Sequence, residues 1–202
     1  MKRRLINTLI TLALAASLTG CAMKYPTYYT LHLPPAVDMP KTDVSQPSVA
    51  VCEFRSPAYL RQGAIVYRPS PEVVGYYNYQ RWAVDPRESL TTSLVDRLRA
   101  SGRFSGVKIY DGRADVDLIL NGNLEKLEEV DFEGGVRVEV VVTAQMTDLR
   151  SGKMVWANAA SETAAVNKRT MPSVVDEMSQ AMDSAIRKLL ASLPASLPTH
   201  AQ

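Results

Sequence analysis

From Val136 the chain alternates: Val136, Val138, Val140, Val142, Ala144 and Met146 occupy every second position, and Arg137, Glu139, Thr143 and Gln145 stand between them. Side chains of an extended strand point to opposite faces in turn, so this run commits the chain to an antiparallel sheet with one apolar and one wetted face. The apolar face needs a cover. Two helical patterns supply it. Asp85 can cap a helix, Pro86 suits its first position, and Glu88 follows three residues after the cap. Leu90, Leu94, Val95 and Leu98 then recur at helical spacing until Gly102. Near Pro172 a second helix begins, and Val174, Met178, Ala181, Met182, Ala185, Ile186 and Leu189 mark its apolar stripe to about Leu193. Methionine at that spacing reads as core packing.

Shorter strands are expected at residues 28–33, 48–54, 64–68 and 73–82, around Val107 and Ile109, and through Val116, Leu118 and Leu120. Residues 148–153 form a turn at Ser151-Gly152, after which Met154 and Trp156 resume the alternation, so 136–166 reads as one long hairpin. Pro34, Pro35, Pro40 and Pro47 mark an extended connection, because proline neither donates to a ladder nor continues a helix. No internal repeat or second domain is visible. The order of elements predicts a single α+β domain over residues 28–193: a mixed, largely antiparallel sheet with both amphipathic helices on one side. The tail, 194–202, is expected to be disordered.

Residues 1–20 have the layout of a targeting signal, with Lys2, Arg3 and Arg4 ahead of an apolar stretch and then small residues. The stretch from Leu5 to Leu18 is shorter than the roughly 20 residues a permanent membrane span requires. Leu18-Thr19-Gly20-Cys21 resembles the bacterial lipobox. That resemblance implies a thioether-linked diacylglycerol on Cys21, cleavage before it, and acylation of the new amino terminus. Three chains on one residue anchor effectively permanently, whereas a single chain, at about 0.8 kcal/mol per buried CH₂, binds only marginally. Ala22, where Asp would favour the inner membrane, implies the outer membrane and its periplasmic side. Residues 21–27 become a short lipidated tether. With Cys21 acylated, only Cys52 remains, so no intramolecular disulfide is available; Cys52 reads as a small buried hydrophobe.

Composition narrows the function further. Without its first four residues the chain carries 20 basic against 21 acidic residues, which disfavours nucleic acid as a partner. Only His32 and His200 are present, so neither a metal nor another cofactor is expected beyond the acyl groups on Cys21. No Gly-x-Ser-x-Gly elbow and no phosphate-binding loop occurs. Ser105 and Lys108 match Ser-x-x-Lys, but they lead into a strand, where the two side chains face opposite ways. The chain is therefore not expected to be an enzyme.

Two uneven regions remain. Glu125, Glu128, Glu129, Asp131 and Glu133 precede Gly134-Gly135 and read as a solvated hairpin tip. Ten of the 14 aromatic residues lie between Tyr25 and Trp82, where Arg55, Arg61, Arg68 and Arg81 face few acids. Tyr, Trp and Arg are enriched at interfaces. Tyr77, Tyr79, Arg81, Arg61 and Arg68 are accordingly the candidate partner-binding residues, with Trp82 set apart as core on the opposite face of the strand.

With these features in place, the chain resembles the ABC-type transport auxiliary lipoproteins. The likeness runs from Cys21 through Tyr28-Tyr29-Thr30-Leu31, Tyr59-Leu60-Arg61, Ile65-Val66-Tyr67-Arg68, Tyr76-Tyr77 and Arg81-Trp82-Ala83 to Ser101-Gly102-Arg103-Phe104. It implies a periplasmic, outer-membrane-anchored lipoprotein working beside a mammalian cell entry (MCE) domain protein and, indirectly, an inner-membrane ABC transporter that moves lipid between membranes. It carries over no catalytic residue. A homo-oligomeric ring around a tubular partner makes geometric sense. The competing expectation is a lipid or lipopolysaccharide carrier with its own apolar cavity, which a large enclosed chamber would favour over a solid core.

Overall fold

The structure, a computed structural model, describes residues 24–38, 46–113, 115–132 and 134–199. Cys21, Ala22 and Glu133 lie outside the described residues. In chain order the elements are β1 (Thr27–Tyr29), β2 (Ser48–Val51), a short 3-10 helix (Ala58–Gln62), β3 (Ala64–Ser70), β4 (Val73–Trp82) and α1 (Pro86–Ala100). They continue with β5 (Gly106–Ile109), β6 (Leu118–Asp131), β7 (Val136–Asp148), β8 (Met154–Ala165) and α2 (Met171–Ala191).

β6 is the spine of the sheet. One edge pairs with β7 along its whole length, antiparallel, from Leu118↔Asp148 to Asp131↔Val136. Its other edge is shared: β2 runs parallel to the start (Val49↔Leu118) and β3 parallel to the end (Tyr67↔Glu129). β5 lies beyond β2, β4 and then β1 lie beyond β3, and β8 closes the far side against β7. The long hairpin expected from the Val136 alternation is β7 and β8, joined through residues 149–153. The result is a mixed, mostly antiparallel eight-stranded sheet with two helices, an α+β fold.

The alternating residues of β7 face the helices, with Val138, Val140, Val142 and Met146 completely buried. Leu90, Leu94 and Leu98 from α1 and Met178, Met182, Ala185 and Ile186 from α2 join them in one core. Asp85 caps α1 as expected, accepting from the Arg87 backbone N–H at 2.9 Å. Glu88 is exposed, and the Arg87 guanidinium rather than Glu88 completes the cap by donating to both Asp85 oxygens. Burial pushes the Asp85 carboxyl up, but those Arg87 hydrogen bonds outweigh it and hold the group below the usual carboxylate range.

Two expectations need correction, in the first strand and in the acidic stretch. The first strand is only Thr27–Tyr29; beyond it His32 donates its backbone N–H to Ser179 Oγ of α2 at 3.0 Å instead of to a ladder. The tail from 194 starts out held to the body, since Pro194 accepts from Arg103 through its carbonyl and Leu197 packs on the core. Most consequentially, the acidic stretch is not a solvated tip. Residues 125–131 belong to β6, and Glu128 and Glu129 are 0% and 2% exposed. Partners brought from β3 and β4 make that burial tolerable, and no local window of sequence contains them.

A bulge at Glu125 sets which way those acids point. Leu124 pairs with Val142 and Lys126 with Val141, so Glu125 is the extra residue. Before it Leu118, Leu120 and Leu124 share the core face; after it Leu127 and Glu129 do, opposite Val140 and Val138.

Candidate functional site

The five expected partner-binding residues separate into two groups. Arg68 is engaged: its Nε donates to Glu128 Oε1 at 2.8 Å, a terminal nitrogen to Oε2 at 3.1 Å, and the other to the Pro71 carbonyl at 2.8 Å. This two-pronged pair answers a carboxylate that is shut off from water, and it raises the Arg68 pKa. Tyr59, from the 3-10 helix, lies over the same pair and donates its hydroxyl to the Glu125 carbonyl at 3.1 Å. Burial, followed by the nearby Glu128 charge, pushes the Tyr59 phenol up to about 12.

Tyr77 is also engaged. It donates to Glu129 Oε2 at 2.8 Å, and its ring meets that of Tyr67 at 4.9 Å between centroids. Tyr67 in turn covers Gly75, where a Cβ would stand 2.3 Å from the ring, so only glycine fits there. Burial raises the Glu129 pKa; the Tyr77 hydrogen bond opposes that rise, Asp131 adds to it, and Arg169 opposes it. Tyr77 was expected to share a face with Tyr79 and Arg81. It does not, because the β3–β4 ladder slips between Val66↔Tyr76 and Ala64↔Arg81, and the slip changes the face in mid-strand.

Tyr79, Arg81 and Arg61 stay available. Tyr79 is 43% exposed and Arg61 lies on the exposed side of the 3-10 helix. Arg81 donates to the Gln62 carbonyl at 2.8 Å, which draws strand and helix side by side. Register places Tyr28 beside Arg81 and Tyr29 beside Trp82, and Trp82 is core, as expected. The patch gains three members that the sequence reading did not include: Tyr25, Tyr28, and Lys24, whose ammonium sits 5.9 Å from the centre of the Tyr79 ring. Their signal was available in the short count of residues between Cys21 and the first strand.

Elsewhere the surface offers two open concavities. One, of about 620 Å³, lies on the outer face of the sheet among Glu53, Arg55, Asn121, Asn123, Gln145 and Asn158. The other, of about 320 Å³, runs between residues 31–36 and α1. Cys52 is half-buried rather than fully buried as expected; burial raises its thiol pKa and the nearby Arg55 opposes that rise. Among the described residues no cluster of three His, Cys, Asp or Glu side chains could hold a metal. No described helix is long and apolar enough to cross a membrane.

A two-layer α+β domain with an exposed aromatic and basic patch beside its first strand is the class defined by this geometry. The chain belongs to the ABC-type transport auxiliary lipoprotein component family, which it matches over residues 29–189. Its fold is similar to that of protein XCC0632 from Xanthomonas campestris, with a TM-score of 0.69 at 16% identity over 81% of this chain and 92% of that one. An uncharacterized protein of known structure is similar at a TM-score of 0.64 and 16% identity, over 83% of this chain and 97% of the other. Protein CT253 from Chlamydia trachomatis gives 0.50 at 9% identity, over 73% and 95% of the two chains. No curated protein matches the sequence.

Proposed function

We propose that this auxiliary lipoprotein is a non-enzymatic docking component, anchored through acyl chains on Cys21 to the outer membrane and facing the periplasm. It receives the end of an MCE-domain assembly linked to an inner-membrane ABC transporter. The observation that carries this reading is the filled core. The side chains that could have lined a lipid chamber, Val138, Val140 and Val142 of β7, are instead covered completely by α1 and α2. The two concavities described above are open, and the larger is lined mainly by amides and charges that suit an acyl chain poorly. That favours docking over a carrier.

Cross-linking in intact envelopes followed by affinity purification tests the reading. An MCE-domain protein should be recovered with the chain. Recovery of a soluble one-to-one complex with phospholipid or lipopolysaccharide, and of no MCE protein, would establish the carrier instead.

A further inference from the structure

We propose that the exposed patch formed by Lys24, Tyr25, Tyr28, Tyr79, Arg81 and Arg61 is the surface by which the domain lies against an anionic lipid headgroup layer. The proposal rests on acylation of Cys21. Three peptide units separate Cys21 from Lys24, and at 3.8 Å between successive Cα atoms they span at most about 11 Å in any conformation. An acylated Cys21 sits at the bilayer surface, so Lys24 and Tyr25 are held in or just above the headgroups. β1 begins at Thr27 and is laced to β4, so the outer face of β4 cannot be far from the same surface.

The chemistry of the patch suits that location. Tyr25 is 75% exposed and Tyr28 is 60% exposed, an unfavourable display of ring surface in open water. Tyrosine is enriched at membrane interfaces, where an apolar ring and a polar hydroxyl are both accommodated. Lys24 and Arg81 border the rings, Arg61 stands exposed on the neighbouring 3-10 helix, and among the described residues none of the three has a carboxylate within ion-pair distance. Such unneutralised cations attract anionic headgroups. A folded protein partner fits less well: a 100-residue domain has a radius of gyration of about 13 Å and is thicker than the gap that the tether leaves.

The test uses the lipidated chain reconstituted into vesicles of phosphatidylglycerol and phosphatidylethanolamine with brominated acyl chains, which quench tryptophan only at close range. Tyr28→Trp is compared with Met154→Trp, each measured against the emission of the parent's Trp82 and Trp156. Met154 is 58% exposed on β8. It lies five strand spacings from β1, about 24 Å. The new tryptophan at position 28 should be quenched at least about twofold, and the one at 154 should be unquenched; adding Arg61→Glu and Arg81→Glu to Tyr28→Trp should relieve about half of the quenching.

If Tyr28→Trp lowers the melting temperature, Tyr25→Trp outside the strand replaces it. Absence of acyl label on Cys21 would overturn anchor and patch together. Acyl label with equal quenching at both positions would overturn the patch alone. An acylated, unquenched Tyr28→Trp, with MCE recovery abolished by Arg61→Glu and Arg81→Glu, would assign the patch to a protein partner and overturn the proposal.

Discussion

Glu128 has no water to fall back on, and Arg68 supplies hydrogen bonds to both of its oxygens from 60 residues away in sequence. Removing one partner of such a buried pair strands the other charge. Arg68→Ala should therefore cost about 3 to 5 kcal/mol of stability, while exposed Arg61→Ala should change it by less than about 0.5 kcal/mol. Urea titration of the two variants measures the contrast. Glu129 makes a second case, in which the sign depends on pH. Its folded pKa is raised, so the folded state holds this proton more tightly than the unfolded chain does. The associated stability is complete below the ordinary glutamate pKa and is lost as pH rises through the folded value. Glu129→Gln keeps an acceptor for Tyr77 and has no proton to lose. Relative to the parent, it should melt higher at pH 7 than at pH 4.5, and an unchanging difference between the two pH values would refute this assignment. The sequence showed Arg68 and Tyr77 as unusual, but their acidic partners are distant along the chain, so buried braces read as exposed anchors.

Elements governed by their own spacing were legible. The Val136 alternation became β7, and the cap at Asp85 became α1, because both signals lie within a few residues of the structure they specify. Leu94→Ala should cost about 2 to 5 kcal/mol and Val140→Ala about 1 to 3 kcal/mol as cavities open in the core. Differential scanning calorimetry of each variant checks this; a Val140→Ala melting temperature equal to the parent's would place that side chain outside the core. Elements that depend on neighbours were misread. The end of β6 carries the composition of a loop and is a strand because β3 and β7 pair with both of its edges. β1 has strand composition past Tyr29, yet β4 gives it partners for only three residues.

For the whole molecule, the proposed lipid anchor at Cys21 would tie fold to location. Cys21→Ala should abolish acyl labelling and leave unprocessed precursor, and labelled mature protein would contradict the lipobox reading. Ala22→Asp should move the protein towards inner-membrane fractions on density gradients, with unchanged fractionation as the opposing result. The α+β class, two helices on a mixed sheet, was visible in the order of elements. The split edge of β6 was not, because parallel pairings between distant strands leave no periodic mark on the intervening sequence.

Counted from Leu118, the core positions of β6 are even-numbered up to Leu124 and odd-numbered from Leu127. Glu125 is where the parity changes. A strand that ran on without the bulge, with Glu125 paired to Val141, would have the same composition and the same hydrophobic content. Its continued ladder would turn Lys126, Glu128 and Val130 towards the helices and send Leu127 and Glu129 to the other face. Each buried acid would then sit on the side that holds the other's partner: the side of Tyr77 for Glu128, the side of Arg68 for Glu129. The two braces thus share a single point of failure, a few residues before Glu128 and Glu129, at a position whose own side chain belongs to neither.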